Sequence, residues 1–168
     1  MAELEPPDLH HCNAASGWLE LGNVAEAIAE LERIATPQQS HPDVLDTRWR
    51  IYAHEHRWPE ALETARLLVN LYPERPTSWI NQSFALHELK HTAEAYNQLR
   101  SVVPQFNRHE IVAYNLACYA CILGNHDKAR DWLRRALGLG DADEIRRRAL
   151  ADPDLEGIRE AIPTLTPL

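Results

Sequence analysis

Residues 59–71 read PEALETARLLVNL, and the Glu60-Ala61 pair inside them decides the fold. The pair recurs as Glu26-Ala27 and Glu94-Ala95, and again as Lys128-Ala129, so the four alanines stand 34 residues apart throughout. A fixed period of this length is the mark of stacked helix–turn–helix units. Working outward, the position four residues after each alanine holds Leu31, Ala65, Leu99 and Leu133. The position seven after it holds Ile34, Leu68, Val102 and Ala136. The i, i+4, i+7 spacing puts these columns on one apolar helical stripe, the second helix of each hairpin. Nine residues before each alanine stand Trp18, Tyr52, Leu86 and Ala120, and sixteen before stand His11, Leu45, Trp79 and Ala113. Those columns belong to the first helix.

Helix breakers fall where such hairpins need them. Gly22-Asn23 and Gly124-Asn125 lie between paired helices, where Gly takes positive φ and Asn caps the second helix. Asn23 with Glu26 has the shape of a capping box, and Pro59 suits a first helical turn. Helices are expected over about 9–21, 24–35, 42–55, 59–71, 76–89, 92–103, 108–123 and 126–138. No segment alternates with period two for long enough to make a strand. The domain plan is a flexible tail over 1–7, four repeats (8–41, 42–75, 76–109 and 110–141), and capping helices with a tail over 142–168. In that cap, 142–150 forms one short helix and Asp152-Pro153-Asp154 starts another, with Leu150, Leu155, Ile158 and Ile162 turned inward. The fold class is therefore all-α, a superhelix of about four helical hairpins plus a C-terminal capping segment.

The formal net charge of −8 argues against general binding of nucleic acid or an anionic membrane, both of which need a cationic face. The first residues, MAELEPPD, lack the basic and apolar regions of a signal peptide. Three cysteines, an odd number, suit a reducing compartment better than a disulfide framework, so a cytoplasmic location is expected.

These columns resemble the tetratricopeptide repeat family. The resemblance rests on Trp79, Ser83, Leu86, Ala95, Leu99 and Val102 in the third repeat. In the second it rests on Leu45, Tyr52, Ala61, Leu68 and the closing Pro73. It covers about residues 8–141. The run from Tyr114 to Glu160, with NLACY near its start and DPDL near its end, resembles the closing segment of many bacterial members. One position departs from the pattern. The small residue at the helix crossing is Ala15, Ser83 or Ala117 in three repeats but Trp49 in the second. Ala65, where other repeats carry leucine, reads as the compensating loss of volume.

The resemblance implies that the first helices line a concave, peptide-binding groove. The expected groove contacts are Arg50, Ile80, Asn81 and Phe84, followed by His87, Tyr114, Asn115 and Cys118. Ile80, Phe84 and Tyr114 either dock an apolar side chain of a partner, or are covered by the C-terminal segment or by another copy of the chain. Arg50 and Asp46, spaced i, i+4, either pair with each other or face a ligand. The lysines of a carboxylate clamp are absent, which argues against a receptor for chaperone tails.

No chemistry is expected. Cys118-Tyr-Ala-Cys121 lies inside a helix with no strand before it, unlike a redox CxxC. His54-Glu55-His56 puts its histidines on different helical faces, so no metal and no cofactor are expected. The expected role is a non-enzymatic adaptor or scaffold that binds a protein or peptide. The alternatives are a self-assembling structural module, which would be a homo-oligomer with exposed aromatics such as Trp132 at its contacts, and a cytoplasmic chaperone for secreted substrates.

Overall fold

The alanine columns are enclosed as the period requires. Ala27, Ala61, Ala95 and Ala129 are fully buried, with Leu31, Ala65, Leu99 and Leu133 beside them. The computed structural model describes residues 4–168. It is all-α: α1 Asp8–Glu20, α2 Val24–Glu32, α3 Pro42–His54, α4 Trp58–Leu71, α5 Pro76–Glu88, α6 Thr92–Ser101, α7 Glu110–Ile122, α8 His126–Leu139 and α9 Ala142–Ala151. A short 3-10 turn, Thr36–Gln38, precedes α3, and a 3-10 helix, Pro153–Thr164, follows α9. No strand occurs among the described residues.

One turn geometry closes the first helix of all four hairpins. Gly22, His56, Lys90 and Gly124 have φ of 75°, 55°, 68° and 77°. These positions are again 34 residues apart. In each case the next N–H returns to a carbonyl five residues back: Asn23 to Trp18, Arg57 to Tyr52, His91 to Leu86 and Asn125 to Ala120, at 2.8–2.9 Å. This is the left-handed helix stop that satisfies otherwise orphaned carbonyls. Glycine announced it in two hairpins, whereas His56 and Lys90 adopt it in the other two. Asn23 caps α2 by accepting from the Glu26 N–H at 3.3 Å. Its own N–H is already given to Trp18, so the box is one-sided. Asn125, expected to cap α8, makes no such side-chain bond.

The chain divides into two compact units, residues up to Asn81 and from Gln82 onward, with the division inside α5. In the first unit α1 packs on α2, α3 on α4, and both α1 and α2 on α3. Its core joins Cys12, Ala15, Leu19, Ala27, Leu31, Ile34, Val44 and Ile51, with Leu4 buried against them. Of the segment expected to be a flexible tail, residues 1–3 lie outside the described residues. Trp49 is half-buried while Ala65 is fully enclosed.

In the second unit α7 packs on α6 and α8, and the C-terminal 3-10 helix lies on α7, α8 and α9. A 3-10 helix of 12 residues is long for its type, because its hydrogen bonds are poorly aligned. Tertiary burial holds it: Leu155, Ile158 and Ile162 are almost wholly enclosed. Leu150 is the exception to the expected cap face and is 39% exposed. Ile145 and Ala149 share the inward stripe of α9 by i, i+4 spacing, and residue 150 falls a further ~100° round the helix.

Candidate functional site

In the first unit the polar side chains of α3 meet the residues that come after α4. Asp46 accepts from Arg75 at 3.0 Å and from the Asn81 amide at 3.1 Å. Arg75 also reaches Asp43 at 3.3 Å. Burial pushes the Asp46 carboxyl above its ordinary value, and Arg75 offsets only part of that. The i, i+4 pairing of Arg50 with Asp46 does not form. Asp46 is taken by Arg75 and Asn81, and Arg50, largely exposed, lies 3.6 Å from Glu20. Ile80 is half-buried, and His54 of the His-Glu-His run is exposed.

In the second unit three expected groove residues are enclosed, and the C-terminal segment covers them. Tyr114 and Cys118, one helical turn apart on α7, are both buried. The Tyr114 hydroxyl donates to Asp152 Oδ2 at 2.8 Å, and the Cys118 sulfur lies 3.7 Å from the same oxygen. The Arg148 guanidinium stacks over the Tyr114 ring at 3.9 Å. His87, at the end of α5, is buried too. Its Nδ1 lies 3.0 Å from Thr92 Oγ1 and its Nε2 3.0 Å from Asp154 Oδ2. Phe84 and Asn115 are half-buried.

The electrostatics follow from this enclosure. The bond from His87 holds the Asp154 carboxyl below its ordinary value. Burial, then the neighbouring Asp152 and Asp154, push the Cys118 thiol up. Burial and the bond to Asp152 do the same to Tyr114. Burial also raises Cys121. A redox CxxC needs a depressed thiol pKa, so the shifts in Cys118 and Cys121 run against that chemistry. Gly157 lets the 3-10 helix come close here. A Cβ on it would stand 3.2 Å from Cys121 Sγ and 2.6 Å from His126 Nε2.

The sequence did not point to Asp152 and Asp154 as partners of α7. They read there only as a helix start, which they also are, since Asp152 Oδ1 accepts from the Asp154 N–H at 3.0 Å. Residue 152 stands one 34-residue period after residue 118, but it leads into the C-terminal 3-10 helix rather than a fifth hairpin, so the register does not announce the contact. Trp132, expected as an exposed aromatic, is half-buried, and its Nε1 donates to Tyr96 at 3.3 Å.

Several solved structures share this architecture. A thermophilic TPR protein from Thermus thermophilus superposes with a TM-score of 0.76 at 21% identity, over 92% of this chain and 82% of that one. The fold is the tetratricopeptide repeat. MamA of Desulfovibrio magneticus RS-1, from residue 41 to its end, matches with a TM-score of 0.70 at 15% identity, over 97% and 95% of the two chains. MamA from AMB-1 gives 0.62 at 16% identity, over 94% and 93%. No protein-family model matches the sequence, and no curated protein matches it. The tetratricopeptide pattern survives here in shape and in small-residue positions more than in letters. Ala15, Ser83 and Ala117 at the crossings are fully buried. Among the described residues, no helix is long and apolar enough to cross a membrane.

Proposed function

We propose that this chain is a non-enzymatic scaffold that binds segments of other proteins on the first helices of its hairpins. One observation carries the reading. In the second unit, α7 already holds a peptide-like segment, the chain's own Pro153–Thr164. Its N-cap Asp152 accepts from the Tyr114 hydroxyl, its Asp154 is bonded by the imidazole of His87, and it inserts Leu155, Ile158 and Ile162. A side that accepts apolar anchors between fixed polar contacts has the chemistry of a peptide-binding surface. On the second unit Phe84 and Asn115 are the contacts assigned to a foreign segment; on the first, taken by itself, they are Arg50, Ile80 and Asn81. His87, Tyr114 and Cys118 serve the cap instead.

Selection from a random peptide library on the immobilised full chain tests this. Phe84→Ala is expected to weaken a selected peptide by about 1–3 kcal/mol with helicity unchanged, as buried aromatic anchors do. Arg50→Ala is expected to weaken acidic peptides. If no peptide is enriched, or if enriched peptides bind Phe84→Ala and Arg50→Ala as well as the parent, the reading fails. Light scattering across a concentration series separates it from self-assembly, which would show as a rising mass.

A further inference from the structure

The donor atoms that join α7 to the C-terminal helix have the composition and spacing of a metal site. Cys118 Sγ and one carboxylate oxygen each of Asp152 and Asp154 all lie within 4.8 Å of one another. His87 Nε2 stands 3.0 Å from Asp154 Oδ2. Tetrahedral zinc, with bonds of ~2.3 Å to sulfur and ~2.0–2.2 Å to nitrogen and oxygen, has ligand edges of about 3.3–3.7 Å. The observed sulfur–oxygen edge between Cys118 and Asp152 is 3.7 Å.

The surroundings are those of an oriented ligand set. His87 Nε2 donates to Asp154 Oδ2 at 3.0 Å and so holds that carboxylate, with Thr92 Oγ1 3.0 Å from Nδ1 on its other side. Outer partners of this kind orient ligating carboxylates. Tyr114 donates to Asp152 Oδ2, a bond that a ligating carboxylate keeps. Asp152 and Asp154 are half-exposed, which gives an ion a way in, while Cys118 and His87 close the inner side. A thiol in the set selects a borderline-soft ion over magnesium or calcium.

We propose that Cys118, Asp152 and Asp154 bind one divalent ion of the zinc and cobalt type that clamps the C-terminal helix to α7, with water completing its shell and His87 bonded to Asp154 from outside. Binding exchanges protons for the ion. Cys118 releases its S–H proton to solvent and enters as thiolate, and the two aspartates enter as carboxylates. The ion with its thiolate and two carboxylates then carries a net charge of −1. The members of this set come from α7 and the tail.

Cobalt titration of the full chain, first stripped with chelator under reducing conditions, tests the proposal. One equivalent of Co2+ is expected to produce the visible bands of a tetrahedral ion together with a near-ultraviolet sulfur-to-cobalt band. Zinc should displace both, and magnesium should not. Cys118→Ser should abolish the sulfur band, while Cys121→Ser and Cys12→Ser keep it. Asp154→Asn should weaken cobalt binding by at least about tenfold. Circular dichroism establishes that each variant is folded. If Cys118→Ser does not fold, Asp154→Asn alone decides. The proposal is overturned if no sulfur band appears, if the band survives Cys118→Ser, or if Asp154→Asn binds cobalt like the parent. None of these outcomes depends on a peptide partner.

Discussion

Lys90 is the most informative single residue to replace, because its cost is chiefly conformational, beside a Coulombic attraction to Asp154. It is exposed and has φ of 68°, the left-handed region that side chains resist. Holding a non-glycine residue there costs about 1–2 kcal/mol. Glycine removes that cost but adds freedom to the unfolded chain, which returns about 0.4–1 kcal/mol. The balance predicts that Lys90→Gly stabilises the protein by about 0.5–1 kcal/mol. Gly124 supplies the inverse test. It occupies the equivalent turn with φ of 77°, and a Cβ built on it meets nothing within 4 Å. Gly124→Ala therefore carries the backbone cost without a steric one, and should destabilise by a similar amount. Urea unfolding followed by far-ultraviolet circular dichroism reads both. With a slope of about 2 kcal/mol per molar, the midpoint should move by roughly 0.25–0.5 M, upward for Lys90→Gly and downward for Gly124→Ala, with the slope unchanged. The reasoning is refuted if Lys90→Gly lowers the midpoint, or if Gly124→Ala leaves it in place.

Three further outcomes are expected. Tyr114→Phe keeps the ring under Arg148 and removes only the donor to Asp152. It should cost about 1.5–3 kcal/mol, as bonds to charged acceptors do, and should speed amide exchange in 153–164; unchanged exchange there would show that the hydroxyl does not hold the cap. Ala65→Leu should destabilise by about 1–3 kcal/mol, and adding Trp49→Ala should recover part of that loss; strictly additive midpoints would show that the two residues share no volume. The third outcome concerns acid. Hydrogen bonding to His11 at 2.7 Å holds the Glu30 carboxyl below its ordinary 4.5. The stabilisation is thus present above pH 4.5 and is lost as pH falls through the lower folded value. Glu30→Gln should flatten the pH dependence of the urea midpoint in that range, and an unaltered slope would remove the pair from the account.

Much of the fold was legible because it is local and periodic. The alanine column and the apolar stripe each act within one hairpin, and every repeat states them again. Helix positions therefore agree with expectation to within a few residues at each end, as for α3, expected over about 42–55 and found at Pro42–His54. The two non-glycine turns were hidden, because His56 and Lys90 have no residue-type signature for positive φ. Only the 34-residue register would have exposed them.

The candidate site divides along the same line. Sequence alone determined that Tyr114 and Cys118 share one face of α7, since i, i+4 spacing guarantees it. Tertiary structure decided what that face meets. Asp152 and Asp154 arrive from 34 and 36 residues further along the chain than Cys118, and His87 from a different hairpin. The cap could be anticipated from its apolar residues, yet its register on α7 depends on Gly157 allowing close approach and on a 3-10 helix that local propensity does not favour. Helical periodicity is a property of neighbours in sequence, so it can be read directly. The pairing of a buried hydroxyl, thiol and imidazole with two carboxylates is set by packing across the core, where desolvation penalises any polar group left without a partner.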